Sequence, residues 1–233
     1  MHRSTIQACA LLLALQPAAA AWSSGHAVAR TQRRPHAVAR ARPAFALDPG
    51  SAWAAYNAAL VDPNTALITK SITAGVIIGA GDAAAQVVEN SKSGGDFDFA
   101  RYVRWAVFGL VLQGPWNHFW YLTLEGLPFP PADAFSIVTL EKVGLDQFFQ
   151  APIFTMIILA FFAVVEGKGL GFAKTQIQEE LGGILVKNWA VFLPATFINI
   201  AFLPLEYRVL FLNCVFFGWV IYLSLFINDK EAA

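Results

Sequence analysis

Residues 141–152 read EKVGLDQFFQAP. They lie inside a long apolar run, 135–165, and still carry Glu141, Lys142, Asp146 and Gln147. Ionisable groups at membrane depth are expensive, and they face a bundle interior or a wet cavity. Lys142 and Asp146 stand four apart, so on a helix they share a face and are expected to pair. The stretch is a polar seam in an apolar helix. Two roles fit it: an ion pair that fixes helix register, or the lining of a solute path.

The rest of the composition agrees with a membrane setting. Of 233 residues 57% are hydrophobic and 14% charged, with 20 Phe and 7 Trp, and mean hydropathy is +0.52. Soluble chains carry about 25% charged residues. The net charge of zero hides an asymmetry. Six Arg and no acid precede Asp48, which leaves ten basic residues against 16 acids and a body near −6. A basic leader on an acidic body points to targeting and away from nucleic acid. Cys9 and Cys214 form no disulfide framework.

Residues 1–21 have the form of a signal peptide: Arg3, an apolar core over 6–15, and small residues at 18–21. Ten apolar residues are too few to span a bilayer. Residues 22–47, with Arg30, Arg33, Arg34, Arg40 and Arg42 among Ser, Thr and Ala, have transit-peptide composition. Together they resemble the bipartite plastid leader of algae with secondary plastids, with a single mitochondrial presequence as the alternative. The mature body is then 48–233.

That body is expected to be an all-α polytopic transmembrane helical bundle of four to five spans, preceded by a short interfacial helix carrying Trp53, Tyr56 and Leu60 and ending at Pro63. Spans are expected at about 66–88, 102–124, 137–165, 189–203 and 209–227. Pro204 is expected to turn a hairpin between the last two, because one helix over both would be about 60 Å long, twice the hydrocarbon thickness. Residues 166–186 are polar enough for a loop with an amphipathic helix over 173–181. Gly75-x-x-x-Gly79 permits close helix approach. Asp82 and Gln86 make a second polar patch, Asp98 is placed to cap the next helix, and Gly114-Pro115 and Pro152 are expected to kink theirs. His118, with no Cys or second His near it in sequence, is a poor metal ligand and a better hydrogen-bonding group. Basic residues alternate between successive loops, as the positive-inside rule expects. No G-x-S-x-G, P-loop or metal-ligand cluster is present, which argues against an enzyme and against a cofactor.

Several motifs occur together in order: Trp53-x-x-Tyr56-x-x-x-Leu60; Gly81-Asp82 with Gln86; Asp98, Arg101, Arg104, Gly109, Gly114, Pro115, His118, Trp120 and Tyr121; Lys142, Asp146, Gln147 and Pro152; Asn199, Pro204 and Arg208; then Trp219, Tyr222, Leu223 and Ser224. In this the body resembles the Mpv17/PMP22 family of small organellar membrane proteins. It departs from that pattern at Leu193-Pro194, where the family has Trp-Pro, and at Ile200, where it has Phe. The resemblance implies an integral membrane protein of a peroxisome, mitochondrion or plastid, with permeability to small solutes attributed to some members. Asp82, Gln86, His118, Lys142, Asp146, Gln147, Asn199 and Arg208 are the polar candidates for a pore or an interhelical network. The expected partners are the lipid bilayer, small solutes or ions, and further copies or subunits of a membrane complex, which is the alternative function.

Overall fold

A computed structural model describes residues 48–130 and 133–231. The expected signal peptide and transit-like segment lie outside the described residues. The chain groups into two units that divide at Ala55. Of the first, the described part is the beginning of helix α1 (Pro49–Val61), where Asp48 Oδ2 accepts from the Ser51 amide at 3.2 Å. In the second unit α1 ends on an Asp62-Pro63 turn, with the Asp62 side chain bonded to the Asn64 amide. Tyr56 Oη meets Thr73 Oγ1 at 3.2 Å, and Tyr207 Oη donates to Asn57 Oδ1 at 3.0 Å.

The body is a set of five long helical rods. They are α2 (Ala66–Ser93); α3 (Phe99–Phe108), π1 (Gly109–Gln113) and α4 (Gly114–Gly126) end to end; α5 (Ile137–Leu145), π2 (Asp146–Gln150) and α6 (Ala151–Val165) end to end; α7 (Gly169–Phe202); and α8 (Leu205–Glu231). They match the five apolar runs. Among the described residues three helices, Ala66–Ser91, Ile137–Val165 and Gly169–Phe202, are long and apolar enough to cross a membrane.

Successive rods run antiparallel, and α8 closes the bundle by running parallel to α2 along most of its length. One end of the bundle carries the α4–α5 and α7–α8 connections and is called the hairpin end. At the other, the glycine end, the chain turns through residues of positive φ: Gly94 at 73°, Gly167 at 75° and Gly169 at 80°. Asp98 caps α3 as expected, accepting from the Arg101 amide at 2.9 Å. The hairpin at Pro204 also forms, with α7 ending at Phe202 and α8 beginning at Leu205.

Close approach of α2 to the second rod depends on small residues. A Cβ on Gly75 would sit 3.1 Å from the Ala106 carbonyl oxygen, and one on Gly79 would sit 3.1 Å from Ala106 Cβ. Tighter still, a Cβ on Gly109 would be 2.6 Å from the Ala74 carbonyl oxygen, and one on Gly114 would be 2.5 Å from Ser71 Cα. Backbone cannot move aside cheaply, so these positions fix the helix–helix distance.

Two expectations are corrected. Residues 166–186 are not a loop with a short helix: α7 runs unbroken from Gly169 through Pro194 to Phe202, 34 residues. Lys174, Gln176, Gln178, Glu179 and Glu180 are good helix formers, so polarity there marks solvent contact and not a break. At 1.5 Å per residue α7 is about 51 Å long and outreaches a ~30 Å hydrocarbon core. Pro115 and Pro152 each follow a π-turn directly, within continuous helical rods. The Gly114 amide donates to the Gly109 carbonyl and the Ala151 amide to the Asp146 carbonyl, five residues back. The wider turn makes room for the proline ring where an α-turn would clash. Second, Lys142 does not pair with Asp146, as described next.

Candidate functional site

The interior splits into three levels. At the glycine end, Asp82 is fully enclosed. Its Oδ2 accepts from Gln86 Nε2 at 2.8 Å, and its Oδ1 lies 2.7 Å from Arg101 Nε. Arg101 also holds Glu89 bidentately, at 2.7 and 3.0 Å. Gln86 in turn bonds both backbone groups of Asp98, at 2.9 and 2.6 Å. The i, i+4 spacing of Asp82 and Gln86 therefore does what helical geometry allows, and the cluster clamps α2 to the start of α3.

The middle level is aromatic. Phe108, with no exposed surface, has five rings around it: Phe162 at 5.5 Å, Phe161 at 5.8 Å, Trp105 at 5.9 Å, and Phe154 and Phe216 at 6.2 Å. Ala74 and Ile78 of α2 complete the packing. Centroid separations of 4.5–7 Å are those of favourable aromatic pairs.

Beyond it, toward the hairpin end, the interior is polar again. Asp146 opens π2 and is 3% exposed. Its Oδ1 accepts from Trp120 Nε1 at 2.7 Å; its Oδ2 accepts from Gln147 Nε2 at 2.8 Å and from Thr196 Oγ1 at 3.2 Å. Gln147 Nε2 also reaches Thr196 Oγ1 at 2.8 Å, and Trp189 Nε1 donates to the Gln147 carbonyl at 2.9 Å. Lys142 points the other way, to Glu125 Oε2 at 2.9 Å. A long flexible ammonium side chain reaches outward to the rod end, where its charge is better solvated, and leaves the enclosed carboxylate to neutral donors.

Arg208 shares Glu125 with Lys142. It also donates to the Leu203 and Ile200 carbonyls at 3.2 and 3.3 Å, satisfying the free C-terminal carbonyls of α7. Around this triad lies a cavity of about 300 Å³, lined among others by Phe129, Thr139 and Ile200. Glu125 stands just past the apolar stretch 102–124. Burial alone would push its carboxyl up, but the hydrogen bonds from Lys142 and Arg208 outweigh that and hold it below the usual glutamate value.

Several enclosed polar atoms on the hairpin side have no hydrogen-bond partner among the described residues. Asn213, one turn before Phe216, is fully buried with neither its amide nitrogen nor its carbonyl oxygen bonded, and Asn199 is the same. The Tyr121 hydroxyl lies close to Asn199 and Asp146. Gln113 Oε1, Trp116 Nε1, Gln147 Oε1 and His118 Nδ1 are also unpartnered. Among the described residues no group of three His, Cys, Asp or Glu could hold a metal ion.

Comparison with known proteins identifies the fold's relatives. A profile of the Mpv17 / PMP22 family matches residues 163–224. The sym-1 protein of Neurospora crassa is 32% identical over 158 residues, covering 68% of this chain and 90% of that one. The chain belongs to the Mpv17/PMP22 family. The Drosophila melanogaster mitochondrial inner membrane protein Mpv17 is 30% identical over 164 residues, 70% of this chain and 97% of that one. Bovine peroxisomal membrane protein 2 is 28% identical over 162 residues, 68% of this chain and 81% of that one. No solved structure matches. Membership makes this an organellar integral membrane protein.

The eight polar candidates of this Mpv17/PMP22 protein do not form one cluster. Lys142, Asp146, Gln147, Asn199 and Arg208 gather on the hairpin side. Asp82 and Gln86 lie beyond the aromatic layer, and His118 stands apart on α4 near Lys70. Sequence reasoning passed over Glu125, Lys70, Asn213 and Thr196. Glu125 and Lys70 were visible as single charges at the ends of apolar runs. Asn213 and Thr196 carry no comparable signal.

Proposed function

We propose that this protein is a channel for small solutes or ions in an organelle membrane, and that the state described is closed. The observation that supports it most is Asn213, enclosed with all its amide atoms unpaired. A bundle whose polar residues existed only to hold one another would pair them, since each unmet buried group costs about 1–3 kcal/mol. Water or a polar solute supplies the missing partners, so the hairpin half is a wet vestibule. The aromatic layer around Phe108 then closes the path. The clamp of Asp82, Gln86 and Arg101 has its groups answered and serves as structure.

Asn213→Leu in the full chain, reconstituted in liposomes, tests the reading. Conductance should fall while thermal stability holds or rises. A variant that is more stable and conducts as the wild type does would refute it, as would silence from folded, inserted wild-type protein under every condition. Silence together with co-purification at fixed stoichiometry would favour a subunit of a larger complex. The names of the relatives support a non-enzymatic membrane protein. They are peroxisomal and mitochondrial; the composition of residues 1–47 is what supports a plastid membrane.

A further inference from the structure

Every fourth residue along α2, from Ala66 through Lys70, Ala74, Ile78 and Asp82 to Gln86, is buried, none more than 6% exposed. This stripe faces the bundle interior, and it carries one cation, Lys70, at 5% exposure. The other buried charges are answered: Asp82 by Arg101, Arg208 by Glu125, and Asp146 by three hydrogen bonds. Among the described residues Lys70 has no ion-pair partner within 4 Å and no side-chain hydrogen bond. Glu206 on α8 and His118 on α4 are the ionisable groups within its electrostatic reach. His118 adds an enclosed Nδ1 that is also unpartnered. Gly114 holds α4 against the backbone of Ser71, next to Lys70, and His118 follows one turn later. A cation on a side chain only 5% exposed, with no counter-ion within 4 Å, is costly and is offset when an anion reaches it.

We propose that Lys70, with His118 beside it, is an anion-binding position on the hairpin side of the interior, and that it sets the charge preference of the solute path. The shared ligand chemistry is a small anionic group: halide, carboxylate or phosphate. The permeation half of this rests on the channel reading; the binding half does not.

The test uses the full chain with Lys70→Met and Lys70→Arg. Removing an unpaired buried charge is neutral or stabilising, so Lys70→Met should fold. In detergent, thermal melts are taken as sodium chloride, acetate or phosphate replaces sodium gluconate at constant ionic strength. The wild type and Lys70→Arg should be stabilised by a small anion, the most effective of the three naming the group, and Lys70→Met should not respond. In liposomes, the anion-to-potassium permeability ratio should fall about tenfold in Lys70→Met, as expected for one charge acting at low effective dielectric. Equal melting responses in wild type and Lys70→Met would overturn the site, and equal permeability ratios in conducting liposomes would overturn its role in charge preference. Silent liposomes with an anion-dependent melt that Lys70→Met abolishes would uphold the site and sink the channel reading.

Discussion

Phe108 separates two explanations of the aromatic layer, as a closed barrier or as ordinary core. The perturbation is a pair, Phe108→Ala and Phe108→Asn. Phe108 is fully enclosed and touches five rings within 6.2 Å, so losing the ring should cost about 3–5 kcal/mol in either variant. The two differ in what fills the space. A void lined by Phe154, Phe161, Phe162 and Phe216 is apolar and stays dry, so the alanine variant should be weakened but still closed. An asparagine there needs partners. If the wet vestibule at Gln113 and Asn213 reaches it, water answers the amide and the two variants are equally stable. If the layer stays dry, asparagine should sit a further ~1–3 kcal/mol below alanine. The assay is denaturant unfolding of both variants in micelles, with liposome conductance in parallel and the lipid-exposed Phe148→Ala as control. Conductance that rises only in Phe108→Asn, with matched stabilities, is the expected result. An asparagine variant that is folded, markedly less stable than alanine and no more conductive would refute the barrier.

The remaining predictions concern the clamps around that layer. Arg101→Met leaves Asp82 enclosed without its cation and should cost about 3–5 kcal/mol, much of it recovered in the double variant with Asp82→Asn; a double-mutant cycle of unfolding free energies checks this. Gly114→Leu must push Ser71 of α2 away and should lose several kcal/mol or fail to insert, whereas Gly126→Ala, with nothing within 4 Å, should be neutral or gain up to ~1 kcal/mol in the same denaturant series. Asp146→Asn keeps one acceptor for three donors and should lose about 1–3 kcal/mol, with Trp120 fluorescence reporting the change. Glu125 has its folded-state value lowered, so its contribution is full above the ordinary glutamate range and is lost as pH falls through the folded value. Melting temperature against pH should therefore fall more steeply on acidification for wild type than for Glu125→Gln.

Four of the five rods were legible because their apolar runs are long and bounded by Pro, Gly or a capping Asp, signals that act locally; the first half of α7 was not, because its polar residues are good helix formers with no apolar run to mark them. The hairpin at Pro204 and the cap at Asp98 belong to the same class. What failed was inference across a break in helical phase. Lys142 and Asp146 sit four apart, and that spacing puts them on one face, but reach and solvation decide the partner. Lysine finds Glu125 at the rod end, and Asp146 opens a π-turn that turns it inward to Trp120 and Thr196, residues 26 and 50 positions away. The π-turns have a sequence cue in hindsight, since both end one residue before an X-Pro step, at Gly114-Pro115 and Ala151-Pro152. Proline inside an apolar run is accommodated here by a widened turn just before it, which removes the clash of its ring.

The polar candidates fall into separate clusters for a related reason. Each was found by being polar on an apolar span, which fixes that it faces inward but not at what depth. Depth follows from register between rods, and register is set by close contacts such as Gly109 on Ala74 and Gly114 on Ser71. Once those are fixed, Asp82 must lie about three turns from Ser71, on the far side of Ala74 and Ile78, and Phe108 must fall between it and Asp146. The same register leaves Lys70 on the hairpin side with no acid within 4 Å among the described residues. The small residues that let the helices approach therefore also divide the polar interior in two, with the aromatic layer between.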